Sequence, residues 1–106
     1  MGVSDIYLPP FLNVAYVDAH QLWDRPLAVV RSELRETSRE GKPVKKLALY
    51  LQDVPVPLLL NRTNATTLAK AWGDDYNTWT GKQLKLKKVR VQYRQEEVEA
   101  IRVTPA

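Results

Sequence analysis

Leu58-Leu59-Leu60-Asn61-Arg62-Thr63-Asn64-Ala65-Thr66-Thr67-Leu68-Ala69-Lys70-Ala71-Trp72-Gly73 decides how this chain folds. An apolar run passes straight into a segment punctuated as a helix. Thr63 or Asn64 can cap its N-terminus by accepting hydrogen bonds from orphan backbone N–H groups. Ala65, Leu68 and Trp72 recur at spacings of three and four, which places them on one helical face. Gly73 supplies the stop. The spacing predicts a helix over Thr63–Trp72. A helix of about ten residues is marginal alone in water, so packing against something else must hold it.

Strand-like runs surround that helix. Upstream lie Leu27–Glu36, Val44–Gln52 and Val56–Leu60; downstream lie Gln83–Tyr93 and Val98–Val103. Val44–Gln52 alternates most clearly. Leu47, Leu49 and Leu51 point one way, and Lys46, Ala48, Tyr50 and Gln52 the other, as in a half-buried strand. Thr37–Lys42 reads as a turn around Gly41, and Gln95–Glu97 as a second turn. Pro55 and Pro57 flank Val56 and make that region a turn or an unpaired edge. In the fourth run Leu84 and Leu86 share one parity while Val89, Val91 and Tyr93 share the other. A change of parity moves side chains to the opposite face, so a bulge or bend is expected at Lys87-Lys88. Both faces of Val98–Val103 carry apolar residues, which leaves its orientation open.

The order strand-strand-strand-helix-strand-strand predicts a mainly β fold. It is that of a small five-stranded OB-like Greek-key barrel with one short helix between strands 3 and 4. Residues 26–106 form the expected barrel and residues 1–25 an N-terminal extension. Within the extension Met1–Tyr7 reads as a loosely held tail, and Pro9-Pro10 forces extended backbone. Over Asn13–Asp24, Val14, Val17, Leu22 and Trp23 suggest a short helix ended by Asp24 and Pro26.

Composition narrows the function. The chain has 106 residues, 44% hydrophobic and 26% charged, which is ordinary for one globular domain. No apolar run approaches the roughly 20 residues that span a bilayer, and no signal-peptide pattern opens the chain. Absence of cysteine removes disulfides and thiolate metal sites and is compatible with a reducing cytoplasm. The net charge of +4 and isoelectric point near 9.5 favour a polyanionic partner.

Leu58-Leu59-Leu60-Asn61-Arg62-Thr63-Asn64-Ala65, Trp72-Gly73-Asp74-Asp75, Trp79-Thr80-Gly81-Lys82 and Val98-Glu99-Ala100-Ile101-Arg102-Val103 together carry a resemblance. They are similar to a family of small proteins carried by bacteriophages and mobile elements, near replication or recombination genes. The family pattern is leucine-valine-leucine-asparagine-lysine-threonine-asparagine-alanine, then glycine-aspartate-aspartate, then tryptophan-x-glycine-lysine. Arg62 stands where that pattern has lysine. The likeness covers Leu58 to Val103 well and the first half loosely. It implies a phage-type origin and a single small domain, and it brings no activity with it. The recurring residues also read as structural: strand end, helix cap, helix stop and tight turn.

Little here points to catalysis. The single histidine, His20, has no nucleophile at hand, and no serine sits in a nucleophile elbow. Only four glycines are present and none forms a phosphate loop. Asp74-Asp75 can offer oxygens to a hard cation but reads first as a solvated turn. No enzyme activity, cofactor or metal is expected.

The cations are a better lead. Lys82, Lys85, Lys87, Lys88, Arg90 and Arg94 fall within thirteen residues that hold no acid. Arg31, Arg35, Arg39, Lys42, Lys45 and Lys46 crowd the first hairpin. A row of cations along a phosphate backbone releases counterions and drives sequence-independent binding. Single-strand binding also needs flat surfaces on which bases stack. Tyr50 is the first choice and Tyr93, beside Arg94, the second; Trp23 and Trp72 are assigned to the core. The expected nucleic-acid surface therefore comprises Arg35, Arg39, Lys42, Lys46, Tyr50, Gln52, Lys85, Lys87, Lys88, Arg90, Tyr93 and Arg94. The partner is single-stranded DNA or RNA, DNA foremost, with a homodimer as one assembly. The competing reading is a protein-interaction module of a phage complex. The bland reading of the lysines is an edge strand guarded against aggregation.

Overall fold

The structure, a computed structural model, describes residues 10–106 apart from the side chains of Thr37 and Arg39. The tail read over Met1–Tyr7 lies outside the described residues. Asn13 starts the first helix, α1 (Val14–His20), by accepting the Tyr16 backbone N–H at 2.8 Å. Val17 anchors it and is fully buried. The chain then forms β1 (Leu27–Arg39), β2 (Lys42–Leu51), β3 (Leu58–Leu59), α2 (Arg62–Trp72), a 3-10 turn over Tyr76–Thr78, β4 (Gln83–Tyr93) and β5 (Glu96–Pro105).

The strands make one five-stranded sheet in the order β3-β2-β1-β4-β5, each neighbouring pair antiparallel. It is not closed into the expected barrel: among the described residues no ladder joins β3 to β5. The third strand accounts for this. Expected over Val56–Leu60, it pairs only at Leu58–Leu59, because Pro55 and Pro57 bring no N–H to a ladder. Beside it the Pro57 carbonyl accepts from the Leu12 N–H, so the chain before α1 and not β5 bonds there.

Two other expectations are corrected. The helix cap is Asn61, whose Oδ1 accepts the Asn64 N–H at 2.8 Å, and neither Thr63 nor Asn64. The bulge is at Val30 in β1, where pairing steps from Val29↔Leu51 to Arg31↔Tyr50. The β4–β5 register runs unbroken from Leu84↔Pro105 to Tyr93↔Glu96, so there is no irregularity at Lys87-Lys88. The parity change there has another cause. Leu84 and Leu86 are fully buried, but beyond them the hairpin leaves the core. Val89, Val91 and Tyr93 then line the other face of a two-stranded ribbon.

The core is one cluster. Leu49, Leu68, Leu84, Leu86, Val17, Val29 and Val103 are its largest fully buried members. Leu51 is also buried and Leu47 half-buried, as the alternation in β2 requires. Trp79 is 2% exposed, whereas Trp23 and Trp72, assigned to the core, are only half-buried against it. The two hairpins meet along a narrow seam. Leu27 faces Leu84, Ala28 faces Gln83, and Val29 exchanges backbone bonds with Gly81 and Lys82.

Candidate nucleic-acid interface

Side-chain alternation sorts the cations. Leu27 and Leu84 point into the core, so their neighbours Ala28 and Gln83 lie on the outer face. Lys85 and Lys87 follow Gln83 onto that face. In β1 the extra residue at Val30 resets the parity, and Arg31, Glu33 and Arg35 come to the outer face opposite Tyr50, Ala48 and Lys46.

The first hairpin holds the most organised group. The Arg31 guanidinium carbon lies 4.0 Å from the Tyr50 ring centroid, and that of Arg35 lies 5.9 Å away. Arg35 Nη2 donates a hydrogen bond to the Tyr50 hydroxyl. Glu33 reaches Arg31 at 3.4 Å. Tyr50 is half-buried beneath these cations. Such stacking contributes about 0.5–1 kcal/mol at exposed sites. A base arriving here meets a planar guanidinium stacked on a phenol, a surface suited to further stacking. Lys46 sits opposite Arg35. Lys42, at the hairpin tip, and Gln52, just past the strand, are exposed on the same parity as Tyr50. The Arg39 side chain lies outside the described residues.

The second hairpin divides its cations between two faces. Lys85, Lys87 and Tyr93 share the outer parity, while Lys88 and Arg90 point the opposite way. Lys87 pairs with Asp24 at 3.5 Å. Arg94, in the turn, lies 5.3 Å from the Tyr93 ring, and Tyr93 is 51% exposed. Lys88 is committed to structure. Its Nζ meets Asp18 at 2.8 Å and Glu99 at 3.6 Å, and it lies 5.5 Å from the Trp23 ring. The Trp23 indole N–H donates to the same Asp18 oxygen at 2.7 Å. The Lys88 bond, then the indole, hold the Asp18 carboxyl below its ordinary pKa; the Asp18 bond raises that of Lys88.

The expected site is thus brought together in part. Arg35, Lys42, Lys46, Tyr50 and Gln52 share one surface, Lys85 and Lys87 continue it across the seam, and Lys88 and Arg90 do not belong to it. Arg31, counted from the sequence only as nearby charge, is the residue that covers Tyr50. Its signal was the parity change from Leu27 and Val29 to Leu34, which marks the bulge.

The recurring motif residues hold the fold. Asn61 caps α2 and Gly73 ends it at φ 94°. The Asp75 carboxylate accepts the Asn77 N–H at 3.0 Å, and the Trp79 indole donates to the Gly73 carbonyl at 3.0 Å. Gly81 turns at φ 89°. Among the described residues no group of three or more metal-ligating side chains assembles, and no helix is long and apolar enough to cross a membrane. Comparison with protein-family models, with curated proteins and with solved structures gives no match.

Proposed function

We propose that this chain binds single-stranded nucleic acid, DNA foremost, with little sequence preference and without catalysis. The observation that carries this reading is the Arg31–Tyr50–Arg35 group on the outer face of the first hairpin. Cations capture the phosphate backbone, and bases stack on the exposed planes. The strand order, which matches that of an OB-like barrel opened at one joint, supports it. Cutting a five-stranded barrel between strands 3 and 5 leaves the linear order β3-β2-β1-β4-β5. A cleft of about 490 Å³ occupies that joint, with Leu58 and Leu59 on one side and Glu99 and Ile101 on the other. The Asn64 carboxamide bonds the Ile101 carbonyl and the Val103 N–H there, in place of a ladder. In such barrels strand 2, with strand 3 and the loops between strands 1 and 2 and between 4 and 5, is a frequent polymer-binding surface, and Tyr50 and Lys46 lie on β2 here. A phage or mobile-element replication or recombination setting in the cytoplasm fits this reading and agrees with the resemblance noted above, which itself brings no activity.

Anisotropy of a fluorescent oligothymidine, with duplex DNA as competitor, tests the reading. Binding weakened by salt and not displaced by duplex supports it. Tyr50→Ala, which removes the support of the Arg31 plane, then weakens binding by up to the roughly 1–3 kcal/mol of one stacked base. No binding at low salt overturns it. A second reading, docking of a protein of a phage complex, rests on the β4–β5 ribbon, which exposes Tyr93 at 51% and Val98 at 36% on one face. A salt-insensitive protein complex without oligonucleotide affinity favours that reading.

A further inference from the structure

A cavity of about 380 Å³ opens where α1 meets the start of β1, the end of β2 and the start of β4. Tyr16, His20, Arg25, Gln52, Asp53 and Gln83 line it. Its volume lies within the roughly 300–1,000 Å³ typical of small-molecule sites. The rings of Tyr16 and His20 stack at 4.1 Å and 29°, giving the wall a π surface. Among the described residues the side chains of Arg25, Gln52, Asp53 and Gln83 have no hydrogen-bond or ion-pair partner. Position matters most. Gln52 lies two residues along the chain from Tyr50, and Gln83 two residues from Lys85, both on the outer parity. The cavity therefore sits on the seam, between the two halves of the cationic surface.

We propose that this cavity receives one nucleobase of the bound strand, a proposal that rests on the single-strand reading above. A strand crossing from Tyr50 to Lys85 keeps its phosphates near Arg31 and Lys85 and turns the intervening base inward. The carboxamides of Gln52 and Gln83 offer both donors and acceptors to a base edge. The Tyr16–His20 stack offers a ring to lie against. Arg25 holds a phosphate at the rim. The Asp53 carboxylate repels phosphate and accepts from ring N–H or amino groups, so the base enters and the backbone stays outside.

His20 is the only histidine in the chain, so its ring protons give an isolated NMR signal in untagged protein. Adding oligothymidine shifts those resonances; an abasic oligomer with the same number of phosphates leaves them in place. Gln83→Ala weakens oligothymidine binding about tenfold, within the range for losing one base contact, and leaves abasic binding unchanged. Unmoved His20 resonances in protein that binds oligothymidine by anisotropy overturn the base pocket and leave the function standing. No anisotropy change with either oligomer overturns both. Should Gln83→Ala fail to fold, the His20 measurement on the unaltered chain decides alone.

Discussion

Asn64 is 3% exposed and spends its carboxamide across the molecule, on a carbonyl and an N–H of β5. Removing one partner of a buried polar pair leaves the other unsatisfied and costs about 1–3 kcal/mol per group. Asn64→Ala therefore lowers the denaturant midpoint more than Asn61→Ala, which loses a helix cap worth about 1 kcal/mol. Thr63→Ala leaves it nearly unchanged, although the sequence makes Thr63 an equal candidate for the cap. Urea unfolding of the three variants checks this order. The Asn-x-x-Asn spacing holds both functions, but only the fold shows which asparagine does which. A capping asparagine and a cross-strand asparagine look the same in a sequence, because the partner of the second lies 37 and 39 residues away.

At the scale of elements, hairpin strands and helices are the legible part. β4 forms over the residues the alternation marks out, and α2 starts one residue earlier than expected. The faces are harder to read, because apolar parity reports on the core only while a strand lies against it. In the β4–β5 ribbon parity instead follows a strand that has left the core. The turn of this ribbon carries a testable strain. Arg94 and Gln95 both adopt positive φ, at 50° and 67°, where the β-carbon crowds the backbone carbonyl and costs about 1–2 kcal/mol per residue. The double variant Arg94→Asn, Gln95→Gly fits such a two-residue turn and raises Tm. The tie of α1 to β4 depends on pH. Asp18 has a lowered pKa, so its contribution holds above its unfolded value and disappears as pH falls through the folded one. Lys88 has a raised pKa, so its contribution holds below its unfolded value and disappears as pH rises through the folded one. Asp18→Ala therefore melts below the parent at neutral pH; the gap shrinks in acid, and in strong alkali it narrows without closing, because the Trp23 bond to Asp18 remains.

Across the whole molecule, charge and shape can be separated by salt. Each phosphate contact to a single strand lowers log K by about 0.7 per decade of salt. Lys85→Ala, which removes an outer-face cation, reduces the slope of log K against log salt by about that amount. Lys88→Ala, which points the other way and is already paired, leaves the slope unchanged. Titrations at three or more salt concentrations measure both. Opposite parities of two lysines three residues apart follow from simple alternation, yet choosing the outward one needed the position of the core. The seam between the hairpins has a mechanical consequence. Only three residues of β1 make backbone pairing between the halves, while each hairpin is zipped along ten paired positions. Across that seam the shared core, rather than backbone pairing, supplies most of the contact. The molecule is two long hairpins on a narrow seam, and a base held at that seam, as proposed above, bridges both.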